Sequence, residues 1–326
     1  MTITKKLLFS LLLSSNAYAV TDGTSVNWND YQDMVEMSCT GTVIAGKFIL
    51  TAAHCSNDDY IRFSDNTMTS SIARADHKDS SLSGAQVDVS LWTLPTNRNL
   101  TQIHYFADLN NKNLVANNEK LHLFGFGSTN YDEQPLHYAT VKASFDSIRL
   151  QVIDGNPIGQ GSGIDGDSGG AWLNKDHQIV AINKSIIGND DGTTTTFGTN
   201  LHYAKDFILE TIDGWHYPTL ANTSNGVATI KIQSLHVSST VDSAYTSGDA
   251  TITGGTCRTM NSVSAFQTCT YEIESQGGIG TLHLSDNESI TINKPTVTPD
   301  SGGSDGGSLG FLSIIGLLGL GFIRRK

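Results

Sequence analysis

Apolar residues recur along most of the chain in short runs rather than long stripes. Thr42 to Leu50, Val87 to Leu94, Lys120 to Phe126 and Gln178 to Ile182 are such runs, separated by clusters of Gly, Asn, Asp and Ser. This is the pattern of short β-strands joined by turns. A helix instead brings its apolar side round every three to four residues. Only His202 to Ile212 does so, through Tyr203, Phe207, Ile208 and Ile212, and this helix is expected to close a first domain. Alternation resumes in Thr229 to Ile232, Thr251 to Thr253, Tyr271 to Ile273, Thr281 to Leu284 and Ser289 to Ile292. About six short strands over roughly 70 residues predict a small β-sandwich of immunoglobulin-like size at 222–298. The polar stretch Asn222-Thr223-Ser224-Asn225-Gly226, following Pro218, reads as a linker. The expected fold class is all-β, with no internal repeat.

The two ends have a different pattern. Lys5 and Lys6 precede the apolar stretch Leu7 to Leu13, and Ala17-Tyr18-Ala19 supplies a small-residue cleavage site, so 1–19 reads as a secretory signal peptide. At the other end a Gly-rich segment, Ser301 to Gly307, leads into an apolar run from Leu309 to Ile323 and then Arg324-Arg325-Lys326. That run would extend about 22 Å as a helix, short of the roughly 30 Å hydrocarbon core, which makes it a marginal transmembrane helix. The tail 299–326 resembles the GlyGly-CTERM sorting signals of Gram-negative bacteria. That resemblance implies recognition and trimming by a rhomboid-type protease, contact with the secretion machinery, and transient membrane association. A plain anchor held by its basic end is the other reading.

Composition narrows the function. A chain of 326 residues accommodates about two domains. Its net charge of -12 excludes a nucleic-acid partner, because such binding draws on basic patches. In an exported chain four cysteines imply disulfides, and they fall as two local pairs, Cys39 with Cys55 and Cys257 with Cys269, other pairings being formally open.

Three segments carry candidate chemistry. Thr51-Ala52-Ala53-His54-Cys55 places an imidazole directly after an apolar strand, and histidine is suited to act as a base because it titrates near neutral pH. Val87-Asp88-Val89 opens the next apolar run with a carboxylate, whose burial needs a partner such as a histidine N–H. Gly166-Asp167-Ser168-Gly169-Gly170 flanks a serine with glycines that let the backbone turn sharply and approach a substrate. In a serine-hydrolase mechanism the amides of Gly166 and Ser168 would face the developing oxyanion.

The order His54, Asp88, Ser168, with these two flanking motifs, resembles the chymotrypsin/trypsin family over about residues 20 to 212. Gly125-Phe126-Gly127 and the helix from Tyr203 to Ile212 also match family features. The resemblance implies a chymotrypsin-like double β-barrel spanning 20–216, followed by the small β-sandwich, and a secreted endopeptidase acting on protein or peptide substrates as a monomer. Together with the tail, it is similar to secreted trypsin-like proteases of Vibrio. It further implies that Val20, freed by cleavage after Ala19, pairs its ammonium with Asp167. By the same alignment Ser162 stands at the base of the primary pocket, where the trypsin branch has an aspartate. Ile186 and Thr196 stand on walls that are glycine in trypsin-like members, so cleavage after small or medium apolar residues is expected. No cofactor and no metal are implied. Asp58-Asp59 and Asp65 lie where some members have a calcium loop but read as a solvated acidic turn. From another functional class, a catalytically silent, protease-shaped binding protein is the alternative.

Overall fold

The computed structural model describes residues 20, 23–56, 60–80, 86–127, 135–159, 161–190 and 194–295. The expected signal peptide and sorting tail lie outside them. Among the described residues no helix is long and apolar enough to cross a membrane.

A two-residue strand, β1 (Thr24–Ser25), is followed by β2 (Met34–Glu36), β3 (Thr40–Ile44), β4 (Phe48–Thr51), β5 (Ile61–Arg62), β6 (Met68–Thr69), β7 (Ala73–Asp76) and β8 (Ser90–Thr93). β2 to β8 form one sheet in the order β6-β5-β2-β3-β4-β8-β7. The run Thr42 to Leu50, read as a single strand, is two: it breaks at Ala45-Gly46, which adopt φ +49° and +74°. Two consecutive positive φ values give a primed turn, whose twist matches that of a hairpin.

The second half comprises β9 (Lys120–Gly125), β10 (His137–Ser144), β11 (Val152–Pro157), β12 (Ala171–Leu173), β13 (Ile179–Gly188) and β14 (Thr194–Asn200). Each strand pairs with two neighbours, and the β9–β10 and β9–β12 pairings close the ring into a six-stranded barrel. β1 adds to the outside of β10. The helix α1 (Lys205–Ile212) begins three residues later than its apolar spacing predicts, because Leu201–Ala204 tighten into a 3-10 turn that the Asn200 side chain caps through the His202 N–H.

Period-2 alternation explains how the halves join. Along β3, β4 and β8, Val43, Ile49 and Trp92 point into the first barrel, while their neighbours Ile44, Leu50 and Leu91 belong to a second core. That second core also contains Phe124, Ala171 and Ile182 from the second barrel and Ile208 from α1. Strands buried on both faces are therefore shared between a barrel interior and the seam between barrels. The chain segments that end at this seam carry the candidate site.

The remaining strands are β15 (Trp215–His216), β16 (Leu220–Ala221), β17 (Val227–Ser234), β18 (Tyr245–Gly248), β19 (Thr251–Gly254), β20 (Thr268–Glu274), β21 (Gly280–His283) and β22 (Ser289–Ile292). They form two four-stranded sheets, β15-β17-β20-β19 and β16-β22-β21-β18, on either side of one core built from Ile230, Ile232, Tyr271, Ile273, Leu282 and Ile290 among others. The Cys257–Cys269 disulfide is buried in that core, and Cys39–Cys55 in the first barrel. Residues 215–221, outside the span expected for the module, already belong to its sheets.

Buried polar groups hold the module to the barrels. Burial pushes His216 down to about 4, so the ring is neutral at physiological pH; its Nδ1 accepts from the Ala45 N–H and its Nε2–H donates to the His104 carbonyl. Burial also pulls His104 down, but the charge and hydrogen bonds of Asp33, 3.0 Å away, outweigh it and raise the pKa. Gln233, fully buried, accepts from the Phe106 N–H and donates to the carbonyls of Phe106 and Phe266. Replacing it with leucine strands one donor and two acceptors away from water. Gln233→Leu is expected to cost about 2–3 kcal/mol in urea unfolding; a loss under about 0.5 kcal/mol would show that those groups are satisfied otherwise.

Candidate active site

His54 follows the end of β4, and its neighbour Cys55 is tied by the disulfide to Cys39 at the start of β3. Asp88 precedes β8, which pairs with β4 so that Thr51 stands opposite Ser90. This register brings the carboxylate under the histidine. Asp88 is nearly buried and uses both oxygens on one residue: Oδ1 accepts from the His54 backbone N–H at 3.0 Å, and Oδ2 from the ring Nδ1–H at 2.6 Å. Holding both the backbone and the ring fixes the tautomer that leaves Nε2 as an acceptor. Nε2 lies 2.9 Å from Ser168 Oγ, across a sequence separation of 114 residues. The three residues singled out in the sequence therefore form one continuous hydrogen-bonded chain. The disulfide sulfurs and one His54 nitrogen come within 4.8 Å of one another, but both sulfurs are committed to the S–S bond and offer no thiolate to a metal.

Ser168 stands on a loop that the first barrel helps to shape. Thr40 donates its N–H to the Ser168 carbonyl at 2.8 Å and its hydroxyl to the Gly166 carbonyl at 3.0 Å. Both of those carbonyls thus point away from the substrate side. Asn183 exchanges backbone hydrogen bonds with Gly169 and Gly170 at 2.8 Å each. Gly169 sits at φ +82°, and a Cβ there would meet Thr51 Oγ1 at 2.1 Å, so the position admits only glycine. Among the described residues, the amides of Gly166 and Ser168 donate to no protein acceptor, which leaves them available to a ligand oxygen.

Asp167, next to the serine, turns the other way and is wholly buried. Its Oδ1 accepts from the Gly127 N–H and its Oδ2 from the Ile164 N–H, both at 2.8 Å, and the Val20 N–H also donates to it. Burial nonetheless pushes the carboxyl up to about 7, and among the described residues no cation pairs with it. Val20 itself is buried, carried there by β1 on β10. A Cβ at Gly125 would stand 2.1 Å from Asp167 Oδ1, which gives the steric reason for glycine at the start of Gly125-Phe126-Gly127.

The three pocket candidates come together behind the serine. β13 and β14 pair Ile186 with Thr196, and both lean on Gly163: a Cβ on that glycine would meet Thr196 at 3.0 Å and Ile186 at 3.3 Å. Thr196 Oγ1 accepts from the Gly163 N–H at 3.3 Å, and Ser162 is half-buried alongside. The region beside Gly163 is therefore closely packed and lined by methyl groups, Thr196 itself being fully buried. Asp58 and Asp59 lie outside the described residues. Asp65, half of whose side chain is exposed, is engaged with Thr67 and with Arg98 at 2.9 Å, and these contacts hold its carboxyl below the usual range against the effect of burial.

A family model described as Trypsin matches residues 20–208, more than half of the chain. No curated protein sequence matches significantly. Among solved structures, the Vibrio cholerae VesB protease is similar at 17% identity and TM-score 0.48, with 84% of this chain and 97% of that chain covered. The secreted serine protease VesC from Vibrio cholerae is similar at 15% identity and TM-score 0.47, with 83% and 70% covered. Human heparin binding protein is similar at 15% identity and TM-score 0.49, with 59% and 96% covered.

Proposed function

The chain belongs to the trypsin family, and from that premise we propose that it is a secreted serine endopeptidase in which Ser168 is the nucleophile, His54 the base and Asp88 the residue that orients it. The observation that carries this reading is the unbroken chain from Asp88 through His54 to Ser168 Oγ. Ser168 Oγ attacks the scissile carbonyl as His54 Nε2 takes its proton. The amides of Gly166 and Ser168 receive the oxyanion, each such donor being worth about 3–4 kcal/mol in the transition state. His54 then returns the proton to the leaving amine, releasing one product and leaving an acyl-Ser168 ester. Water, activated by the same base, hydrolyses that ester.

Export under the 1–19 signal peptide accords with the two disulfides. Cleavage after Ala19 releases the Val20 ammonium to pair with Asp167, and the tail at 299–326 directs sorting at the membrane through a rhomboid-type protease. The protease domain begins at 20 and ends before β15, and the β-module, whose sheets take in β15 and β16, is an accessory domain.

The closely packed, methyl-lined region beside Gly163 suits small or medium apolar residues at P1, the residue whose carbonyl is attacked. Profiling against a diverse peptide library, with the Ser168→Ala variant as control, is expected to give serine-dependent cuts after Ala and Val. Cuts confined to Arg and Lys would contradict the pocket assignment while keeping the mechanism. Opening both walls in Ile186→Gly/Thr196→Gly is expected to raise kcat/KM for Leu or Phe at P1, relative to Ala, by about tenfold or more, since one or two extra buried methylenes are worth 1–3 kcal/mol. An unchanged ratio would remove Ile186 and Thr196 from the pocket.

A further inference from the structure

β13 is covered on its β12 side only as far as Ile182, and Asn183 is then held by Gly169 and Gly170. Among the described residues Ser185 to Gly188 pair with β14 alone, which leaves the other edge open beside the Ser168 loop. A peptide laid on an open sheet edge continues the sheet, and its side chains alternate between the two faces. Ile186 and Thr196 are a register pair on the pocket face, whereas Ser185 and Phe197 pair on the opposite face. A substrate whose P1 side chain enters the pocket therefore turns P2, the preceding residue, toward the face of Ser185 and Phe197.

That face carries charges of both signs. The Arg149 guanidinium lies 5.6 Å from the Phe197 ring centroid and is matched by Asp146 at 3.3 Å and Asp154 at 3.6 Å. Lys184 is not matched. The register slips between Asn183 and Ser185, so Lys184 is the extra residue of a bulge, a device that re-aims a side chain. It is half-buried and has no ion-pair or hydrogen-bond partner among the described residues. Asn183, the residue before it, is hydrogen-bonded to Gly169 and Gly170, which sets Lys184 next to the Ser168 loop; burial lowers its pKa, with Asp88 acting against that effect and Arg149 adding to it. Asp88 directs both carboxylate oxygens at His54 and makes no hydrogen bond to Lys184 among the described residues.

We infer that Lys184 is a specificity-determining residue that selects an acidic side chain at P2, so that the preferred substrates are peptides with Glu or Asp immediately before a small P1 residue. The inference rests on the endopeptidase reading. A substrate carboxylate completes the ion pair that the protein leaves open, in a partly desolvated setting where such a pair is stronger than in bulk water.

Three fluorogenic peptides with Ala at P1 and Glu, Gln or Lys at P2 test it. In the wild-type protein kcat/KM for Glu is expected to exceed that for isosteric Gln by about tenfold, with Lys lowest, and raising the salt shrinks the ratio. Lys184→Met brings the Glu/Gln ratio close to one, and Lys184→Glu inverts the order of Glu and Lys. A wild-type ratio near one overturns the inference, as does a Lys184→Met variant that loses rate on all three peptides alike, the signature of a residue acting through the triad. Should the variants fail to fold, the wild-type ratio and its salt dependence decide. Labelling of Ser168 by a fluorophosphonate, together with equal cleavage of all three peptides, sinks the selection and spares the endopeptidase; absence of both labelling and cleavage sinks both.

Discussion

Ser168→Ala lowers kcat on any cleaved peptide by about 10⁵-fold or more, with the unfolding midpoint changed little. The side chain loses one oxygen in a half-buried loop whose shape comes from backbone bonds to Thr40 and Asn183 rather than from the hydroxyl. Residues of such a triad act as a unit, so Ser168→Ala combined with His54→Ala costs scarcely more than either alone. Asp88→Asn keeps the geometry but offers the ring an amide, which favours the wrong tautomer and is expected to cost about 10⁴-fold in kcat. Independent, additive losses at the three positions, measured by steady-state kinetics, would contradict a shared mechanism.

The second large effect is expected at the chain start. The Asp167 carboxyl, buried with no cation paired to it among the described residues, titrates at about 7 in the folded chain against 3.8 for an ordinary carboxyl. Between those values the folded state holds a proton that the unfolded state has released. Stability therefore falls as pH rises through the window, by about 1.4 kcal/mol per unit where the difference is full, and by a few kcal/mol in all. An ammonium on Val20, in place of the amide that now donates to Asp167, favours the ionised carboxylate, lowers its folded pKa and removes that penalty. A form extended before Val20 is thus expected to weaken from pH 4 to 7 in urea unfolding, while the form starting at Val20 does not. The extended form should also lose at least about 100-fold in kcat/KM, because an uncompensated carboxylate beside Ser168 disturbs the loop that presents Gly166 and the nucleophile. Equal pH profiles for the two forms would show that Asp167 has another partner.

How much of this was legible in the sequence depends on how far apart the interacting residues lie. His54, Asp88 and Ser168 each sit in a short motif whose local chemistry is distinctive, so their meeting could be expected before any coordinates. Some strands of both halves were visible as short apolar runs, and the break at Ala45-Gly46 was missed because apolar residues continue on either side of a tight turn. Thr40, Asn183 and Lys184 had no local signal. The contacts of Thr40 and Asn183 with the Ser168 loop, and the place of Lys184 beside them, arise only from the pairing of β3 and the bulge in β13, and a strand sequence does not announce a bulge. The same holds for Asp33, His104, His216 and Gln233: scattered polar residues look like surface until the fold buries them against one another's backbone. β15 and β16 were left outside the expected module for a related reason, since each is only two residues long.

The most direct measurement is fluorophosphonate labelling of the protein starting at Val20, followed by peptide mapping. The account predicts one adduct per chain, on Ser168, with labelling abolished in Ser168→Ala and severely slowed in His54→Ala. A correctly folded chain that takes no adduct, or takes it on another residue, would contradict the assignment of Ser168 as an activated nucleophile.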